Sequence, residues 1–292
     1  MSGHTIDPAQ LAASFTWPRF ELASLIEAWR QAHYAAQAAA ELGKSWAPPQ
    51  SDDSHSNLGW RSTGDLIGCE GVPAQGPIAL RTRLDVSRLR LALYDGVDVV
   101  DAQDLAGMTV TEAVSWVGDR ATVHLGERTQ PAHAAPDLPE HPLAHGAQFA
   151  VHGALEHVAQ LYDSVDRTLA LLRRVMPSFR EARCWPHHFD HASLAVVAQD
   201  GDGSMSKTIG VGITPPDGVD SSGYIYVSPW ARDGAVHGDA PQLDHGHWHP
   251  RGSGPPMAVL PLSSFGETRD PTSAVPVFIA QAVNGCMEVL GV

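Results

Sequence analysis

The sequence predicts an α+β fold, with mainly antiparallel sheets packed against three long helices. Three observations carry that expectation. Apolar residues recur at helical spacing in three long stretches. Between them lie short segments rich in Val, Ile, Leu and Tyr, bounded by Gly and Pro. These strand-like segments cluster between helices and lack the regular strand–helix alternation of a parallel sheet. The order helix, strands, helix occurs twice. It suggests two pseudo-repeated halves, 1–145 and 146–292, within one compact unit.

The first helix is expected over residues 18–42, where Leu22, Ile26, Trp29, His33, Ala36 and Ala40 share a face. Gly43 and Lys44 read as its stop. Strand character follows over 59–64, 77–85 and 88–94, with Arg81 and Arg83 facing away from Leu80, Thr82 and Leu84. Asp95-Gly96 has the chemistry of a hairpin turn. Residues 109–117 predict a short helix, capped by Thr109 or Thr111, and 127–145 a proline-bearing loop. The second long helix rests on Val151, Leu155, Val158, Tyr162, Val165, Leu169, Leu172 and Met176, and Pro177 ends it. Strands are expected over 193–199, 207–213, 223–228 and 257–262. The last helix runs from about Pro271 to Leu290, with Asp270 as N-cap.

Composition bounds the function. The chain has 292 residues and a formal net charge of −14, which repels a phosphate backbone and excludes nucleic acid as a first expectation. No uninterrupted apolar run of about 18 residues appears, so no membrane span is expected. No signal peptide is visible at the start. Cys69, Cys184 and Cys286 are widely spaced and form neither a metal knuckle nor a disulfide framework. A cytoplasmic location is the resulting expectation. The arginines number 17 and the lysines 2, and seven of the 16 histidines fall between His187 and His249.

That histidine clustering nominates the site. In an extended Trp185–His191 segment, His188 and Asp190 would project from one face and His187 and His191 from the other. His245, His247 and His249 alternate in the same way. Imidazole and carboxylate are the usual ligands of zinc and non-haem iron. His187, His188, Asp190, His245, His247 and His249 are therefore the candidate metal ligands, for a divalent transition metal such as Zn or Fe. Without a metal, Asp190 would orient His188 as an acid/base pair. The competing expectation is a buried, hydrogen-bonded His188–Asp190 pair with the histidine trio on a polar surface loop. His188-x-Asp190, a later histidine and Arg251 also resemble iron- and 2-oxoglutarate-dependent oxygenases, but Arg251 follows the histidines too closely for that pattern. Asp200-Gly-Asp202-Gly-Ser204 and Ser204-x-x-Lys207 read as turns.

The segments Trp185-Pro-His-His-Phe-Asp190, Gly212-Ile-Thr-Pro-Pro-Asp217 and Gly223-Tyr-Ile-Tyr-Val-Ser-Pro-Trp230 resemble those of a family of uncharacterised, mainly actinobacterial proteins. The layout is similar to that of the domain-of-unknown-function family DUF5996, in which a histidine sits in an early helix, as His33 does here. His188, Phe189 and Asp190 match the pattern, whereas His187 stands where Glu is usual. The resemblance implies a shared fold and no established activity.

Together these readings predict a soluble protein with a cavity floored by strands. His33, Trp185, Tyr224, Tyr226 and Trp230 are the candidate substrate-binding residues. The leading functional expectation is divalent-metal binding with metal-dependent small-molecule chemistry. The alternative is a non-catalytic small-molecule-binding or interaction protein with a structural His–Asp pair. The expected partner is a small-molecule ligand, and the sequence leaves the oligomeric state open.

Overall fold

The computed structural model describes residues 5–12, 17–63, 66–71, 79–130, 137–252, 254–265 and 270–292. Of the expected strand residues, Gly64, Pro77 and Ile78 lie outside them. In chain order the elements begin with α1 (Pro8–Leu11), α2 (Leu22–Trp46), β1 (Leu58–Thr63), β2 (Leu66–Gly71), β3 (Leu80–Asp85), β4 (Arg90–Asp95) and β5 (Asp98–Asp104). They continue with α3 (Val110–Leu125), α4 (Leu155–Val175), β6 (Arg183–Trp185), β7 (Asp190–Gln199), β8 (Met205–Thr214) and β9 (Tyr224–Ala231). β10 (His247–Arg251), β11 (Gly254–Pro261) and α5 (Pro271–Leu290) complete the order. The fold is α+β, and every strand pairing described below is antiparallel. Four helices exceed two turns where three long ones were expected, because the segment from Thr109 continues to Leu125.

The chain divides into two compact units that interleave in sequence. An N-proximal unit holds Pro18–Asp163 and Arg183–Asp190, and a C-proximal unit holds Met1–Trp17, Ser164–Ala182 and His191–Val292. The division runs through α4 and again around the Trp185 segment.

In the N-proximal unit the strand order is β6-β1-β2-β3-β4-β5. One face of this sheet is apolar. Trp60, Cys69, Leu84 and Leu91 stand in register across β1 to β4, and all four are buried. α2 packs on β2 and β3. Residues 31–43 of α2 are buried all round, which the alanines at 32, 35, 36 and 38–40 permit by letting neighbours approach closely. Gly43 is not a stop, for the helix runs on to Trp46. A Cβ there would lie 2.2 Å from the His55 carbonyl oxygen, so the glycine admits the following loop. Asp95-Gly96 does turn, with Gly96 at φ 60°, and joins β4 to β5. Thr109 caps α3 in a reciprocal capping box with Glu112.

In the C-proximal unit the order is β10-β11-β9-β8-β7. Leu260, Ile225, Ile213 and His191 form one fully buried row across β11, β9, β8 and β7. Ala258, Val227, Val211 and Ser193 form the next. α5 packs on β8, β9 and β11, and burying Val275, Phe278, Ile279 and Val283 is the apolar drive for that contact. Asp270 caps it by accepting from the Thr272 amide. By length and composition alone α5 could cross a membrane, yet 67% of its most apolar window is buried within the protein.

Candidate functional site

The Trp185–Asp190 segment of the N-proximal unit is not extended. Residues 186–189 form a turn, with Phe189 at φ 54°, and this breaks the alternation that would align His188 with Asp190. His188 is exposed and its ring lies 4.4 Å from that of His187, centroid to centroid. His187 is half-buried, and desolvation, then the neighbouring His188, lower its pKa.

The polar groups around the turn hold its backbone. His33, on α2, places Nε2 3.0 Å from the Pro186 carbonyl and 3.3 Å from that of His187. Both acceptors are carbonyl oxygens, so Nε2 carries the proton. His33 is 1% exposed, and burial is the main reason its pKa falls to about 4, despite the opposing pull of the two carbonyls. It is therefore a neutral clasp on the backbone of the turn. Its Nδ1 is buried without a hydrogen-bond partner. Gln37 donates to the Pro186 carbonyl as well, at 2.5 Å, and Lys44 in turn donates to Gln37 Oε1 at 3.2 Å. Tyr162 donates to the Phe189 carbonyl and accepts from Trp29 Nε1 at 2.7 Å. Burial, then Cys184, pushes the Tyr162 phenol well above its ordinary range, and Asp190 adds to that rise. Asp190 also raises the Cys184 thiol, after burial and Cys69. The Asp190 carboxylate is thus electrostatically coupled to this buried group. Trp185 is half-buried on β6, with its ring edge toward His187.

The structure contains a different His–Asp pair. His191, fully buried in the C-proximal unit, places Nε2 2.9 Å from Asp166 Oδ1 on α4. These residues lie 25 positions apart, so no local motif announces them.

The histidine trio does not share one strand. Asp244 to Gly246 form a bend, with Gly246 at φ 74°, and β10 starts only at His247. Asp244 is tied to Gln281 of α5 by reciprocal bonds of 2.9 and 2.7 Å. His247 and His249 do share a face, on a strand that among the described residues pairs with β11 alone. Among the described residues, no group of three or more His, Cys, Asp or Glu is gathered to hold a metal ion.

Strand register brings several of the nominated residues together elsewhere. His247 pairs with Val259, Val259 with Tyr226 and Tyr226 with Gly212. His247, His249, Tyr224, Tyr226 and Trp230 therefore occupy one sheet face, opposite Trp248 and the buried rows that meet α5. Tyr224 and Tyr226 stand 6.2 Å apart edge to face, packed with Met257 and Val259. The Tyr224 hydroxyl donates to Asp217 at 2.8 Å. Trp230 is 43% exposed. Arg251 donates to Ser228 Oγ at 2.6 Å, which sets its guanidinium over the same face.

A second polar centre lies on the outer face of the N-proximal sheet. Glu70, 7% exposed, accepts from Arg83 Nε at 2.5 Å and from Arg61 and Arg81 at 3.3 Å each. Burial works to raise its pKa, but Arg83 and Arg61 outweigh that and hold the carboxyl below its ordinary range. The period-two alternation of Arg81 and Arg83 was visible in the sequence. Their convergence on Glu70 depends on the β2–β3 register, which no local signal gives.

No family model, no curated protein and no solved structure matches the chain.

Proposed function

We propose that this is a non-catalytic small-molecule-binding protein, and that the ligand lies on the open face of the C-proximal sheet. One observation carries the reading: beside the buried Tyr224, the register gathers Tyr226 and the exposed Trp230 with His247, His249 and Arg251 on the sheet face opposite α5. Aromatic rings offer large, rigid contact area, and a guanidinium pairs with a carboxylate through a planar fork. The chemistry fits a planar aromatic ligand bearing one negative charge. The use of His33 and Tyr162 as backbone clasps also favours binding over catalysis at His188 and Asp190. The net charge of −14 supports a small ligand over nucleic acid, and three buried free thiols fit a cytoplasmic setting. The likeness to the DUF5996 layout belongs to the same reading. So does the relation between the two halves, since each unit is an antiparallel sheet with a long helix on one face.

Isothermal titration calorimetry with 2-naphthoate tests it. Saturable binding that weakens about tenfold in Trp230→Ala and in Arg251→Ala is the expected result. Absence of binding, or an affinity left unchanged by both substitutions, overturns it.

One observation favours a second reading, in which His247 and His249 supply two imidazoles to a divalent transition metal. They share a face of an edge strand, the i, i+2 spacing that lets two side chains reach one ion. Metal analysis of untagged protein separates the two readings.

A further inference from the structure

The outer face of the N-proximal sheet concentrates positive charge in a chain that is strongly negative. Arg61, Arg81, Arg83, Arg88 and Arg90 face three carboxylates, those of Glu70, Asp85 and Asp104. That leaves two positive charges uncompensated, within a molecule of net charge −14. Three of the five, Arg83, Arg88 and Arg90, border a cavity of about 330 Å³, whose lining also includes Thr63, Asp85 and Tyr94.

The donors are not exhausted by the internal pairs. Arg88 meets Asp85 only at 3.7 Å, a charge contact longer than a hydrogen bond. Arg90 uses Nη1 on Asp104 at 3.0 Å, and both groups are about half exposed or more. A guanidinium carries five N–H donors, so each retains several for a guest. Arg81 Nε is buried with no acceptor, a further sign that donors outnumber acceptors here. Arg83 is fixed by its bond to Glu70 and by stacking 4.0 Å over the Tyr94 ring. A fixed guanidinium loses less freedom on binding a planar anion than a mobile one. The purely internal alternative, arginines that neutralise one another's acids, would leave no surplus.

We propose that this cavity is a binding site for a small molecule bearing a phosphate or carboxylate group, held by Arg83, Arg88 and Arg90 with the Thr63 hydroxyl at its edge. Guanidinium forks match both oxyanions, which is the recognition chemistry they share. The site is distinct from the aromatic face of the C-proximal unit and does not depend on it.

The probes are pyrophosphate and citrate, titrated calorimetrically into the full chain at low ionic strength. Saturable binding of at least one is expected, with the tighter of the two showing which source the site takes. The Arg88→Ala/Arg90→Ala double variant should bind about tenfold or more weakly. Both positions are largely exposed, so the variant is expected to fold, as its melting temperature will show. Should it unfold, the single charge reversal Arg88→Glu replaces it. Raising sodium chloride should weaken binding in parallel. No saturable heat at millimolar concentrations of either probe, or unchanged affinity in the folded variant, overturns the proposal.

Discussion

His33, expected as a substrate-binding residue, holds the backbone of a turn. Its ring is buried, neutral and bound through Nε2 to two turn carbonyls. Its pKa falls from 6.5 to about 4, so the unfolded chain binds the extra proton first as the solution is acidified. The stabilising contribution is therefore complete above pH 6.5 and is lost as the pH falls toward 4. At about 1.4 kcal/mol per unit, it amounts to roughly 3 kcal/mol. Urea melts at pH 7.5 and pH 5 should show about 2 kcal/mol of that loss, and His33→Gln should flatten the slope over the same window. A slope unchanged by the substitution would contradict the assignment. Glu70 behaves in the same direction at lower pH. Its depressed carboxyl stabilises above the ordinary carboxylate range, and that contribution disappears as acid protonates it. Tyr162→Phe removes a hydroxyl that bonds both Trp29 and the Phe189 carbonyl, leaving two buried groups unsatisfied. A loss of about 2 kcal/mol or more is expected by denaturant melting.

At the scale of elements, local signals were legible where they were strong. α5 appears with its Asp270 cap and its expected length, and Asp95-Gly96 turns as its chemistry requires. α4 starts at Leu155, later than its apolar spacing suggested, and Val151 stands 57% exposed ahead of it. The His152 carbonyl instead accepts the Leu155 amide. β10 carries a weak strand signal, because its residues sit among Gly, Pro and His. Its extended form comes from pairing with β11, a tertiary contact. The reverse error befell residues 186–189, whose positive-φ Phe189 ends the extended run. Gly43 offers a test in which two effects compete. Alanine in a helix interior gains about 1 kcal/mol in propensity over glycine. A Cβ 2.2 Å from a backbone oxygen forces the His55 loop to move and should outweigh that gain. Gly43→Ala is therefore expected to lower the urea midpoint, and a raised midpoint would show that the loop yields freely.

For the whole molecule, charge and fold class follow from composition and periodicity, whereas the sites depend on register. Nothing in the chain order pairs Asp166 with His191, or sets Glu70 among Arg61, Arg81 and Arg83. The aromatic face was half legible. Tyr224 and Tyr226 share a face by simple alternation, but only the β10–β11–β9 register adds His247 and His249. Histidine spacing is visible in the sequence, whereas the bend at Gly246 and the turn before Asp190 are not. Under the proposed reading, ligand binding on the C-proximal sheet requires no metal. The most direct measurement is plasma mass spectrometry on untagged protein after dialysis, without and with mild chelation. The account predicts zinc, iron, nickel and copper each far below one equivalent, with an unchanged melting temperature after chelation. A near-stoichiometric metal that survives dialysis, and is lost in His247→Ala or His188→Ala, would contradict it.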